Sequence, residues 1–203
     1  MDLVIVPGWR RADFFAATLA RLSIADDGKV EYLISLDRGY DKRLDLVGNV
    51  FARQHVGRVR IMHPQHRYRG NSYNVLTAYA LAVNTNADLV HLVEEDVFVG
   101  SDYLEFHRQA HALVPSAFAV SACRNQNVTA EPPADMGAVW ADHDYQSLAV
   151  SFRRDVLRMV LREAREAYYS DPIGYCRRRF PRSRIPQGNA EQDGLLNRVA
   201  EEK

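Results

Sequence analysis

Leu89-Val90-His91-Leu92-Val93-Glu94-Glu95-Asp96-Val97-Phe98-Val99 is the stretch on which the reading of this chain turns. An apolar run of strand length ends in three consecutive carboxylates. In an open α/β sheet, ligands bind outside the carboxyl ends of the strands. Clustered oxygens there suit a hard divalent cation that carries a phosphate ligand, which makes a metal-nucleotide enzyme one reading. The plainer reading is that acidic side chains solvate a strand end and cap the helix that begins near Ser101.

On either side of this stretch, runs of strand character recur at 3–6, 30–36, 58–62, 117–122 and 148–152. Most are separated by segments with helical spacing of apolar residues. Phe14, Phe15, Thr18, Leu19 and Leu22 line one face of the first such segment, and Leu44, Val47, Val50 and Phe51 line the second. A third spans 71–83, with Val75, Leu76, Tyr79, Ala80 and Val83 inward, and a fourth runs from Ser101 as N-cap through Tyr103, Phe106 and Ala110. Alternation of strand and helix predicts an α/β fold, a mainly parallel sheet flanked by helices on both faces. With 203 residues, 47% of them hydrophobic, one domain is expected.

The alternation breaks after Cys123. Residues 124–144 are polar and interrupted by Pro132, Pro133 and Gly137, a connection long enough to suggest a substrate loop. Segment 152–169 reads as helical and 171–189 as an arginine- and proline-rich loop; Asn189 with Gln192 three residues on suggests the cap of a last helix. Cys123 and Cys176 have neither metal-ligand spacing nor the pattern of a disulfide framework.

Formal net charge is zero, but arginine is clustered. Segment 51–70 has Arg53, Arg58, Arg60, Arg67 and Arg69 and no acid, and 151–184 has ten arginines against four acids. Planar guanidinium forks suit phosphate, so anionic ligands are one explanation and a solvated helix face is the other. The first residues already read as a strand, leaving no room for a signal peptide, and no apolar run reaches bilayer length. The expectation is a soluble cytoplasmic protein of a bacterial or phage-infected cell, with no membrane partner.

Four motifs occur in one order: Val4-Ile5-Val6-Pro7-Gly8-Trp9-Arg10-Arg11; Ile34-Ser35-Leu36-Asp37-Arg38-Gly39; the acidic triplet followed by Ser101-Asp102-Tyr103-Leu104-Glu105-Phe106; and Val120-Ser121-Ala122 before Asn125. That order resembles the nucleotide-sugar glycosyltransferases of the GT-A fold, most of all the N-acetylglucosaminyltransferase I type, over about the first 125 residues. The resemblance implies a Rossmann-like sheet with a nucleotide-sugar-binding half at 1–122 and an acceptor-binding half at 123–203. It places Pro7, Arg10 and Arg11 at the donor diphosphate and Asp37 at the base, where a carboxylate accepting an imide proton favours uridine. The triplet would serve as a DXD-like motif, with Asp96 holding Mn²⁺ or Mg²⁺ and Glu94 and Glu95 orienting the sugar and the metal-bound waters. Glu95 stands where relatives often have aspartate. The base that deprotonates the acceptor would be Asp193, with Glu191 second; apart from the resemblance, the run Arg67-Tyr68-Arg69-Gly70-Asn71 reads as one that could contact the diphosphate or the acceptor.

Each position also has a local explanation. Arg11 fits a surface arginine at a helix start, Asp37 a turn aspartate before Gly39, and Asp193 an acid favoured in a first helical turn. Gly194 costs a helix about 1 kcal/mol against alanine, which close approach of a substrate or a fraying end would explain. His63-Pro64-Gln65-His66 reads as a loop beside the donor, and Asp142-His143-Asp144 between Trp140 and Tyr145 as a solvated or acceptor-facing loop.

The implied activity is an inverting, metal-dependent transfer of a sugar from a UDP-sugar to an acceptor hydroxyl. The acceptor is a glycan, a small molecule, or a hydroxymethylated pyrimidine in phage DNA held through 151–184. Two rivals stay open. One is a sugar nucleotidyltransferase, disfavoured by the single glycine in 7–11. The other is a noncatalytic nucleic-acid-binding α/β module.

Overall fold

A computed structural model describes residues 1–64, 70–122 and 148–203. Their elements run β1 (Asp2–Gly8), α1 (Ala12–Ala25), β2 (Val30–Leu36), α2 (Arg43–Gln54), β3 (Val59–Met62), α3 (Asn71–Ala82), β4 (Leu89–Leu92), α4 (Tyr103–Leu113), β5 (Val120–Ser121), β6 (Val150–Arg153), α5 (Arg154–Glu163), α6 (Glu166–Ser170), α7 (Pro172–Arg179) and α8 (Gln192–Glu201). Six strands form one sheet in the order β3-β2-β1-β4-β6-β5. The first four strands pair in parallel, with Ile5 opposite both Leu33 and Leu92, whereas β6 lies antiparallel to β4 and to β5. The fold is therefore α/β with a mainly parallel sheet.

Side chains alternate across the sheet and divide the core. Leu3, Ile5, Leu33, Val90, Leu92 and Phe152 pack on one face with α3, α5 and α8. Val4, Val6, Tyr32, Ile34 and Leu36 pack on the other with α1, α2 and α4. Every residue of β1 is buried, as expected for a central parallel strand covered on both sides. Gly8 closes that strand where it does because a side chain has no room: a Cβ would lie 2.7 Å from Leu44 Cδ2 and 3.0 Å from Leu36 Cδ2.

Several sequence-based expectations need correction. Phe14, Val50 and Ala80 are exposed, because each falls at or beyond the edge of a narrower buried stripe; in α1 that stripe is Phe15, Leu19 and Leu22. Phe14 instead lies parallel to exposed Phe98, with ring centroids 6.2 Å apart. Asp102, not Ser101, occupies the N-cap of α4. Phe152 belongs to the sheet, the helical stretch after it divides into α5 and α6, and α7 occupies much of the expected loop at 171–189. The substrate-loop expectation at 124–144, together with Cys123, Asn125, Trp140, Asp142, His143, Asp144 and Tyr145, lies outside the described residues, as do His66, Arg67 and Arg69.

One polar cluster sits inside the α4 side of the sheet. His107 Nδ1 and His111 Nε2 lie 2.6 Å and 2.9 Å from Ser151 Oγ, and His91 packs against His107 with ring centroids 5.2 Å apart. Burial pushes His107 down to about 2, reinforced by His91 and His111, and pushes His111 down to about 4. Burial also lowers His91, outweighing Asp2. The imidazoles are thus held neutral.

Candidate active site

The chain leaves the centre of the sheet at β1, works outward through β2 and β3, then crosses back to place β4 on the other side of β1. Such a reversal opens a crevice at the carboxyl ends of the two strands, the usual ligand position in open α/β sheets. Residues after β1 and β4 therefore face each other, and they carry the Trp9-Arg10-Arg11 run and the acidic triplet.

They are directly joined. Trp9 N–H donates to Glu95 Oε2 at 2.7 Å, Arg11 Nε lies 3.4 Å from Glu95 Oε1, and Arg11 Nη1 donates to Asp96 Oδ2. Thr18 Oγ1 donates to the Glu95 carbonyl at 2.9 Å, tying α1 to the same turn. Glu95 is buried, whereas Asp96 is partly exposed and Arg11 open to solvent. Arg10 leaves the carboxylates and stacks over Trp9, its guanidinium carbon 4.1 Å from the ring centroid. Pro7 is buried within β1, so it shapes the turn without offering a surface to a ligand.

Asp37 follows β2 at the same sheet edge and is largely buried. Its carboxylate accepts from Arg38 N–H at 2.7 Å and from Gly70 N–H at 3.1 Å, and its own N–H donates to Gly8 O at 2.9 Å. Asp37 therefore fixes the start of α3 against the end of β1. Nearby, His63 Nε2 lies 3.4 Å from Asp45 Oδ1.

The start of α3 also gathers the distant end of the chain. Gln192 N–H donates to Ser72 Oγ at 3.0 Å, bringing the first turn of α8 to the triplet. Burial, the Asp193 charge and the Asp96 charge push the Glu94 carboxyl up to about 7, against the Asn71 hydrogen bond and the Arg11 charge. Asp193 is half-buried and Glu191 exposed. Ser72 and Gln192, which sequence reasoning did not assign, thus build the site together with Asn71. Ser72 was visible only as part of a helix start.

Asn189 is not the cap of α8. Glu191 takes the N-cap position, without a side-chain capping bond. The carbonyl of Asn189 turns instead onto the helix, where a Cβ on Gly194 would meet it at 2.0 Å. This close backbone approach is the reason for Gly194, in place of a substrate contact or fraying. Buried Arg198 holds the arrangement by donating to the carbonyls of Asn189, Gly194, Ile185 and Pro186.

Among the described residues, no group of three or more His, Cys, Asp or Glu is arranged to enclose a metal. The donor set still fits a hard cation. A guanidinium already occupies the oxygens of Glu95 and Asp96, and nucleotide-site Mg²⁺ takes only one or two carboxylates, completing its shell with phosphate and water.

No protein-family model and no curated protein sequence matches the chain. Solved structures do. The mannosyltransferase PcManGT from Pyrobaculum calidifontis, in complex with GDP-Man and Mn²⁺, superposes with TM-score 0.60 at 20% identity over 77% of this chain and 45% of that one. TarS 1-349 from S. aureus gives TM-score 0.62 at 14% identity over 98% of this chain and 55% of its own. Its complex with UDP-GlcNAc gives 0.58 at 15% identity, with 78% and 47% covered. The 4-diphosphocytidyl-2C-methyl-D-erythritol synthase from Anaerococcus prevotii gives 0.52 at 11% identity, with 82% and 78% covered. The chain spans about half the length of the two transferases. These likenesses establish the fold, that of GT-A glycosyltransferases; none singles out the N-acetylglucosaminyltransferase I type.

Proposed function

We propose that this chain is a metal-dependent, inverting glycosyltransferase that moves a sugar from a UDP-sugar to an acceptor hydroxyl. The observation that carries the reading is the meeting of three segments at the β1/β4 crevice: Arg11 from the turn after β1, the triplet from the turn after β4, and Asp193 from the first turn of α8, whose charge reaches Glu94. A cation, a metal-fitting carboxylate and a separate acid are the groups that displacement of a nucleoside diphosphate needs. The solved transferases of this fold bind GDP-Man with Mn²⁺, or UDP-GlcNAc, which supports a nucleotide-sugar donor here.

Arg11, with Arg10 beside it, binds the diphosphate. Asp37 receives the base: with Arg38 and Gly70 already donating to it, its carboxylate has room for the single imide N–H of uracil more readily than for two donors. Glu95 fixes the Trp9–Arg11 turn, and Glu94 orients the sugar. Asp96 holds Mn²⁺ or Mg²⁺, which when bound neutralises charge on the departing diphosphate. Asp193 takes the proton of the acceptor hydroxyl as it attacks the anomeric carbon opposite the leaving group. The donor half at 1–122 and the acceptor half at 123–203 divide the work accordingly, and Arg69 joins the donor side.

A saccharide or small-molecule acceptor fits better than DNA. Arg153, Arg154, Arg158 and Arg165 are held to backbone carbonyls, and Arg178, Arg179 and Arg184 face carboxylates. Most of the 151–184 arginines therefore have work within the chain. A steep loss of binding to modified duplex DNA with added salt would reverse that preference. A sugar nucleotidyltransferase remains the rival, since the fold also occurs in a synthase of a diphosphocytidyl compound. The deciding experiment follows UDP release from a panel of UDP-sugars with Mn²⁺ and mixed glycan acceptors. Acceptor-stimulated release that disappears in Asp193→Asn is the expected result; formation of a nucleotide-sugar from a sugar phosphate and a nucleoside triphosphate would overturn it.

A further inference from the structure

We infer that Arg11 is an internal competitor of the metal: its guanidinium and the cation share the Asp96 carboxylate as a partner, and where the cation takes Asp96 the guanidinium turns to the donor diphosphate. This rests on the proposed function and assigns Arg11 a second position within the same site. The guanidinium spans two carboxylates of the triplet, through Nη1 to Asp96 and through Nε, 3.4 Å from Glu95. Asp96, whose Oδ2 it holds, is partly exposed, so a metal could reach it without disturbing buried Glu95. Metal and guanidinium are both cations, and their mutual repulsion at one carboxylate makes each weaken the other's hold on it.

Arg11 also has open solvent beside it. Its side chain is 57% exposed, and both its partners lie at the crevice. Glu95 does not need it, because Trp9 N–H and the turn that Thr18 holds keep that carboxylate in place. A diphosphate entering the crevice offers the same guanidinium a fork-shaped anionic partner. Donor binding then frees Asp96, and metal and nucleotide load together. Arg10 cannot act this way, since it is stacked over Trp9.

The test reads free Mn²⁺ by electron paramagnetic resonance, with no nucleotide present, in the wild-type chain and in Arg11→Gln, Arg10→Gln and Asp96→Ala. An exposed ion pair competes weakly, so Arg11→Gln should tighten Mn²⁺ binding by about three- to fivefold. Arg10→Gln, which removes an equal charge one residue away, should leave it within about a factor of two. Equal tightening in both arginine variants would reduce the effect to net charge and overturn the inference. Unchanged or weaker binding in Arg11→Gln, with Asp96-dependent binding intact, would overturn it while leaving the metal assignment standing. Absence of Asp96-dependent binding in every variant would remove the metal assignment and the inference together.

Discussion

Asp193 and Glu191 lie two residues apart; the Asp193 charge is felt at Glu94, whereas Glu191 is exposed at the N-cap. The pair therefore separates by substitution. Asp193→Asn should lower acceptor-dependent turnover by about 10²-fold or more while UDP binding persists; Glu191→Gln should change turnover by less than about threefold. Steady-state rates beside calorimetric UDP titrations check both. The buried histidines give a second residue-level prediction. His107 and His111 have folded values near 2 and 4, below the ordinary imidazole value. The unfolded chain thus binds more protons than the folded one as pH falls below about 6.5, so stability is lost across that range, and the loss from His111 ends near its folded value while that from His107 continues lower. Each histidine contributes at most about 1.4 kcal/mol per pH unit. Urea midpoints measured from pH 7 to 4.5 should fall steeply in the wild-type chain and less steeply in His107→Gln.

Helix α8 carries the proposed base, and what positions it is a backbone contact rather than a cap. Gly194→Ala would drive a methyl group into the Asn189 carbonyl, so loss of about 2–4 kcal/mol of stability is expected. Arg198→Met would leave four carbonyls without their shared donor, with a loss of about 2–4 kcal/mol. Thermal melts test both. These contacts explain which elements could be read from sequence. The parallel strands were legible because β1, β2 and β4 are short apolar runs, and buried runs have few other solutions. The placement of α8 was not: the Asn-Ala-Glu-Gln spacing imitates a capping box, and nothing local reveals that Arg198, nine residues on, claims the Asn189 carbonyl. Strand direction was equally hidden, since the apolar pattern of β6 is the same whether it runs with β4 or against it. His91 passed as one more residue of an apolar strand because its partners, His107 and Tyr103, come from α4.

At the scale of the whole molecule, the sheet order makes the site: β1 and β4 are neighbours, so Arg11 and Asp96 meet although 85 residues separate them in sequence. The triplet and the basic run after β1 were legible as separate motifs; their contact, and the arrival of α8 through Ser72 and Gln192, required the fold. Among the described residues no helix is long and apolar enough to cross a membrane. In the proposed function, the β1/β4 crevice binds a nucleotide through a metal on Asp96. Its most direct test is calorimetric titration of UDP into the protein with and without Mn²⁺, repeated with Asp96→Ala. Binding that requires Mn²⁺ and falls by about tenfold or more in Asp96→Ala is expected; binding of equal strength in the variant, or no UDP binding under any of these conditions, would overturn the proposed donor site.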